Sequence, residues 1–153
     1  MRNRHLYTLE LNWSGNREVS NIGNDRLYEI QIEGKQLLKG SADEAFFGNP
    51  ELYNPEDLLL SALSSCHMMS YLYVCRKQGI SVGAYQDTPE GLLKVNIDGS
   101  GEFECVTLNL RIEVLNINQI ELAVKLHDEA AKLCFIANSC KFKIKYNVDV
   151  YSN

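Results

Sequence analysis

The residues best able to do chemistry in this 153-residue chain are five cysteines and three histidines. The cysteines are Cys66, Cys75, Cys105, Cys134 and Cys140, an odd number at wide spacings. Such a set fits inert core positions, catalytic thiols or metal ligands better than a disulfide framework. Cys66 and Cys75 stand in the stretch LSSCHMMSYLYVCRKQG, where a cysteine either fills space or reacts. To react it must become a thiolate. Cys66 lies roughly three turns inside the helix this stretch predicts, and the helix dipole acts only over the first turn. Burial raises a thiol's pKa as well. A reactive Cys66 therefore requires a cation brought from elsewhere in the fold. His67 follows it in sequence but projects about 100° away around the helix, and reads as packing or as a hydrogen bond at an interface.

Cys134 falls near the end of a second predicted helix, where the dipole opposes thiolate formation. That place suits a thiol that waits for another to be oxidised and then condenses with it. Two cysteines on separate buried helices could face one another, although spacing alone does not say so. Cys75 lies on the opposite side of the first helix from Cys66 and reads as core, as does Cys105 on a strand. Cys140 is either a competing thiol or a strand-edge core residue. A second reading of the same residues is a metal site on a non-enzymatic module, from Cys66, His67, His127 and Cys134. No CxxC or HxxxH spacing supports it, and His127 reads as a solvated helix residue. A third is a dimeric module with inert cysteines.

The elements that must position these groups are legible from periodicity. Alternation of apolar and polar residues predicts strands over HLYTLELNW (Tyr7, Leu9, Leu11, Trp13), RLYEIQIEG (Tyr28, Ile30, Ile32), LLKVNID (Leu93, Val95, Ile97), FECVTLNLRIEVL (Val106 to Val114) and KFKIKYNVDVY (Phe142 to Val150). KQLLKG is a candidate hairpin partner after Gly34, and Asp98-Gly99-Ser100-Gly101 reads as a turn. The first helix opens at Asn54 as N-cap with Pro55 in its first position and stops at Gly79. Glu56 and Asp57 favour its positive end. It is apolar on most sides, which predicts a buried central helix. The second helix spans about Asn118 to Ala137, with Ile120, Ala123, Leu126, Ala130, Leu133 and Ala137 as its apolar stripe. The pattern is α+β with mainly antiparallel sheet in a single domain, residues 1–153. An intertwined homodimer would cover the first helix; a large sheet of the same chain is the competing solution.

Composition narrows the classes of function. A net charge of -5 argues against non-specific nucleic-acid binding. No run of 18 or more apolar residues is present, and the start of the chain alternates instead of forming an apolar block. The expectation is a cytoplasmic protein with no membrane partner and no signal peptide.

The stretch YNPEDLLLSALSSCHMMSYLYVCRKQGI resembles the hallmark of the OsmC/Ohr family, the osmotically inducible and organic hydroperoxide resistance proteins. HDEAAKLCFIANS resembles that family's second cysteine helix, and WSGN, RLYE and GSADEAFFGNPELYNPE fit its OsmC-like peroxiredoxin branch. The resemblance implies a peroxidatic Cys66, a resolving Cys134, and Glu56 as the glutamate of the NPE motif. It implies Arg26 as the activating arginine, with Arg17 the nearby alternative. It further implies an intertwined dimer that reduces organic hydroperoxides, and hydrogen peroxide as a further substrate, without a cofactor. A dihydrolipoyl protein or thioredoxin would be its external dithiol. Phe135 stands where the Ohr branch carries proline and fits the CFIANS form of the other branch. Glu56 and Cys66 are roughly 15 Å apart along one helix axis. Glu56 and Arg26 would therefore reach Cys66 from the partner subunit or across a break in the helix. Met68, Met69, Tyr71, Phe46 and Phe47 are candidates for an apolar substrate wall or for plain core.

Overall fold

A computed structural model describes residues 3–14 and 26–153; Arg17 lies outside the described residues. The chain divides into two compact units, Met1–Leu59 and Leu60–Asn153.

The first unit is built on a three-stranded antiparallel sheet of β1 (Glu10–Asn12), β2 (Tyr28–Gln31) and β3 (Leu38–Gly40), in that order. The predicted turn joins β2 to β3: Lys35 N–H donates to the Ile32 carbonyl at 3.0 Å. Gly34 adopts φ 76°, which its missing Cβ permits. β1 is shorter than its alternation predicts, and Tyr7, Leu9 and Leu11 are exposed. Among the described residues these apolar side chains have no cover. The loop after β3 folds over Asp43, whose side chain accepts hydrogen bonds from Ala45 N–H and Asn54 Nδ2.

Helix α1 (Pro55–Lys77) begins and ends where local chemistry dictates. Asn54 Oδ1 accepts from Asp57 N–H at 2.7 Å, and Asp57 Oδ2 accepts from Asn54 N–H at 3.2 Å, a reciprocal capping box. Gly79 stops the helix at φ 70°. Among the described residues α1 is buried along one face, Leu63, His67, Tyr71, Val74 and Cys75, while Met69 and Tyr73 are 64% and 57% exposed. The buried central helix expected from its composition is therefore half realised in the single chain. Ser61, Ser64, Ser65 and Ser70 interrupt any continuous apolar run. Even so, an 18-residue window reaches a mean hydropathy of 1.4, so α1 meets the length and apolarity of a membrane span.

The second unit packs α1 beside β4 (Val82–Asp87), β5 (Glu90–Val95), β6 (Gly101–Val114), α2 (Ile120–Leu133) and β7 (Lys143–Tyr151). β4 and β5 pair end to end with the two halves of β6, both antiparallel. Pro89, which has no N–H to donate, marks the break between them. β7 lies along the other edge of β6 and runs parallel to it, after the crossover through α2. The sheet is thus mixed, not wholly antiparallel, because a strand returning through a helix re-enters in the same direction. Val106, Leu108, Leu110, Ile112 and Val114 all face the core, as alternation predicts. One strand goes unpredicted and one expectation fails. β4 has no strand signal, because Gly83 and Ala84 sit at an irregularity in the ladder. Val95 and Ile97 are exposed, because β5 ends at Val95 and the Asn96–Ser100 turn closes there.

Candidate active site

α2 ends at Leu133, short of the predicted Ala137, and Cys134 follows it in extended conformation at φ -73° and ψ 108°. This change of direction buries Cys134 completely and leaves Leu133 and Phe135 exposed. Cys134 therefore takes the inward place that the stripe assigned to Leu133. The chain then turns through Ile136 into a 3-10 helix over Ala137–Ser139.

That turn meets α1 at Cys66. Ile136 N–H donates to Cys66 Sγ at 3.5 Å, and Ala137 N–H donates to Cys134 Sγ at 3.4 Å. Two successive amides thus serve two sulfurs, and the thiols are neighbours. Both are free thiols; Cys66 is half-buried and Cys134 buried. Burial pushes the Cys134 thiol up to about 11, and the adjacent Cys66 sulfur pushes the same way against the Ala137 and Ile136 amides. Cys134 is accordingly protonated at neutral pH, the state expected of a waiting thiol and not of an attacking one.

Of the other cysteines, Cys75 lies in the core as read, whereas Cys105 does not, because it alternates with the core-facing residues Val106 to Val114. Cys75 is buried in the core against Tyr71, and burial raises its thiol. Cys105 is half-buried on β6, and Cys140 is half-buried just before β7.

One histidine is not where it was expected. His127 is 4% exposed, not solvated. It lies between Ala123 and Ala130 on the inward stripe of α2, at the i+4 and i-3 positions that mark a core-facing residue. That spacing was the signal for it. His67 Nε2 and His127 Nδ1 are 3.0 Å apart, and Tyr71 stacks on His127 with ring centres 3.9 Å apart. Burial holds His67 down to about 4. Burial, with the charge of His67 second, holds His127 down to about 3, so both rings are neutral at pH 7. Tyr71, a candidate for the substrate wall, is core: it donates from its hydroxyl to the Ala123 carbonyl at 3.2 Å. Met68 is half-buried, whereas Met69, Phe46 and Phe47 are exposed.

Tyr85, Asp87 and Tyr146 were not singled out in the sequence. Tyr146 of β7 lies against His67, with ring centres 4.7 Å apart, and burial raises its phenol to about 12 with Cys134 and Cys140 adding to it. Ser64 donates to Asp87 Oδ2 at 2.5 Å. Burial raises Asp87 and Tyr85 too.

The two remaining predicted site residues belong to the first unit. Glu56 is half-buried in the first turn of α1, and with Asp57 it adds to the burial that raises Tyr28. Arg26 is exposed and makes no ion pair among the described residues. α1 runs unbroken from Glu56 to Cys66, which removes the break in the helix as a way for this glutamate to reach the thiol. No group of three or more metal-binding side chains occurs among the described residues.

A family model described as OsmC-like protein matches residues 48–149, a span that holds both cysteines. The chain belongs to the OsmC-like family. Similar proteins extend the match over almost the whole length. The uncharacterized protein YmaD of Bacillus subtilis (strain 168) is 24% identical, over 97% of this chain and 95% of that protein. The structure of an OsmC-like protein of unknown function from Vibrio cholerae superposes with a TM-score of 0.83 at 23% identity, covering 97% of this chain and all of that one (100%). An organic hydroperoxide resistance protein from Elizabethkingia anophelis gives a TM-score of 0.70 at 20% identity, covering 99% and 100% of the two chains. The OsmC-like fold of α+β class, with two helices and mixed sheet, is thereby established for this chain.

Proposed function

We propose that this OsmC-like protein is a cysteine-based peroxidase that reduces organic hydroperoxides to alcohols. Family membership supports a redox role in general. The single observation that carries the finer reading is the meeting of Cys66 and Cys134, each sulfur served by an amide of one turn. In this reading the Cys66 thiolate attacks the distal peroxide oxygen; the S–O bond forms, the O–O bond breaks, and the alkoxide takes a proton to leave as alcohol. Cys66 is then a sulfenic acid. Cys134 attacks its sulfur, a disulfide forms, and the hydroxyl leaves with the Cys134 proton as water. An external dithiol, a dihydrolipoyl protein or thioredoxin, reduces the disulfide by exchange.

Arg26 would hold Cys66 as thiolate, and Glu56 would fix the guanidinium. Both would come from the partner subunit of an intertwined homodimer. The apolar surface left open on β1 and on α1 (Tyr7, Leu9, Leu11, Met69, Tyr73) supports such a partner. A cytoplasmic location belongs to the same proposal, since a reducing compartment returns the dithiol.

Cumene hydroperoxide added to the reduced protein tests the reading. The expected result is consumption of peroxide with loss of two thiols, and none with Cys66→Ser. Turnover by Cys66→Ser, or stoichiometric zinc binding in its place, overturns it. A monomeric variant with full activity overturns the composite Arg26 and Glu56 site alone.

A further inference from the structure

Three polar links join the first helix of the second unit to the second. Cys66 meets Cys134, His67 meets His127, and the Tyr71 hydroxyl meets the Ala123 carbonyl. The partners descend α2 as they ascend α1, so the thiol pair and the imidazole pair are successive layers of one seam. The middle layer is costly as packing. His67 Nδ1 and His127 Nε2 are both buried and find no hydrogen-bond partner among the described residues. Whichever ring donates the shared proton, one orphaned donor and one orphaned acceptor remain. Two apolar side chains of similar volume would avoid that loss. What the pair supplies is geometry. The bond spans the two helices at 3.0 Å, and Tyr71 on one ring and Tyr146 on the other fix the ring planes.

Cys66 directly precedes His67, on the rigid part of α1. Cys134 stands just past the end of α2, on extended backbone that leads into a turn. Bonded sulfurs lie about 2.05 Å apart, closer than free thiols can approach. One side must move when the disulfide forms, and the turn is the softer side.

We propose that the His67–His127 hydrogen bond is a clamp that holds α1 and α2 in register, so that Cys134 is presented to Cys66 and only the Cys134–Ser139 turn moves when they join. The histidines are positioning residues; neither hydrogen-bonds a sulfur. The proposal takes its purpose from the peroxidase reading, but its test needs no peroxide.

The test equilibrates the whole protein with reduced and oxidised dithiothreitol and quantifies the Cys66–Cys134 disulfide by alkylation and mass spectrometry. In that exchange the protein dithiol passes two electrons and two protons to the cyclic disulfide. His127→Leu is expected to lower the equilibrium constant about tenfold or more, since misplacement of this order loses that much proximity. His127→Asn, whose amide can take the place of Nδ1, is expected to stay within about threefold of wild type. Tyr71→Phe lowers stability by removing the adjacent link and leaves the constant within about twofold. A wild-type constant in His127→Leu overturns the clamp, as does an Asn variant no better than Leu. Should His127→Leu fail to fold, His67→Met breaks the same bond at similar volume and carries the same expectations. Wild-type protein that forms the disulfide with dithiothreitol but spares peroxide refutes the peroxidase reading and leaves the clamp standing.

Discussion

Cys66 and Cys75 ride one helix, nine residues apart, and have different surroundings. Cys75 is sealed in the core beside Tyr71, where burial keeps it a thiol. Cys66 lies at the margin of the buried face, half-open, with a backbone amide on its sulfur and a second thiol as neighbour. The helix activates neither, since Cys66 is beyond reach of its dipole and Cys75 sits in the last turn, where the negative end opposes a thiolate. What separates them is what comes across from other elements. The contrast in surroundings is set by the facing turn, Cys134 to Ala137, more than by the helix that bears both cysteines.

The largest expected effect tests that contrast directly. Iodoacetamide applied to the native reduced protein should label Cys66 about a hundredfold or more faster than Cys75, because only one is accessible without unfolding. Cys75→Ser should leave peroxide consumption unchanged and cost about 1–3 kcal/mol, since a hydroxyl replaces a soft thiol in an apolar site. Peptide mapping and a denaturation curve provide both numbers. Equal labelling of the two cysteines breaks the comparison.

The next effect concerns the face that hides Cys75, which also hides His67 and His127. Their folded-state pKa values, about 4 and about 3, lie below the ordinary 6.5. The unfolded chain therefore binds protons first as pH falls. The stability is fully present above 6.5, declines below it, and levels off once the folded rings also titrate near 3–4. Between pH 7 and pH 5 the pair should lose up to about 4 kcal/mol, readable by denaturant unfolding. A flat profile over that window means that the rings are not buried as a neutral pair.

The smallest effect concerns the helix common to both cysteines. Asn54→Ala removes the side-chain half of the capping box and should cost about 1 kcal/mol. It should leave the ratio of Cys66 to Cys75 labelling unchanged, because the cap is remote from both. A changed ratio would show that the start of α1 and the thiol site are coupled.

Legibility in the sequence followed the range of the interaction responsible. Asn54, Pro55 and Gly79 bounded α1 closely, since caps and stops act within a few residues. β6 was plain from five alternating apolar residues. β4 was missed because its pairing with β6, not its own pattern, makes it a strand. The parallel entry of β7 and the ends of α2 and β5 were likewise decided by partners distant in sequence. His127 was misplaced although its spacing put it on the inward stripe, because a lone imidazole is polar enough to pass for surface.

The sequence by itself determined the family, the helix that carries Cys66, and the two cysteines worth watching, because motif spacing and capping are local. Only the tertiary structure decided that Cys134 turns out of α2 to meet Cys66, and that His127 meets His67 behind them. Those meetings depend on how α1, α2 and the sheet pack, and packing is set by burial of apolar surface that no single segment contains.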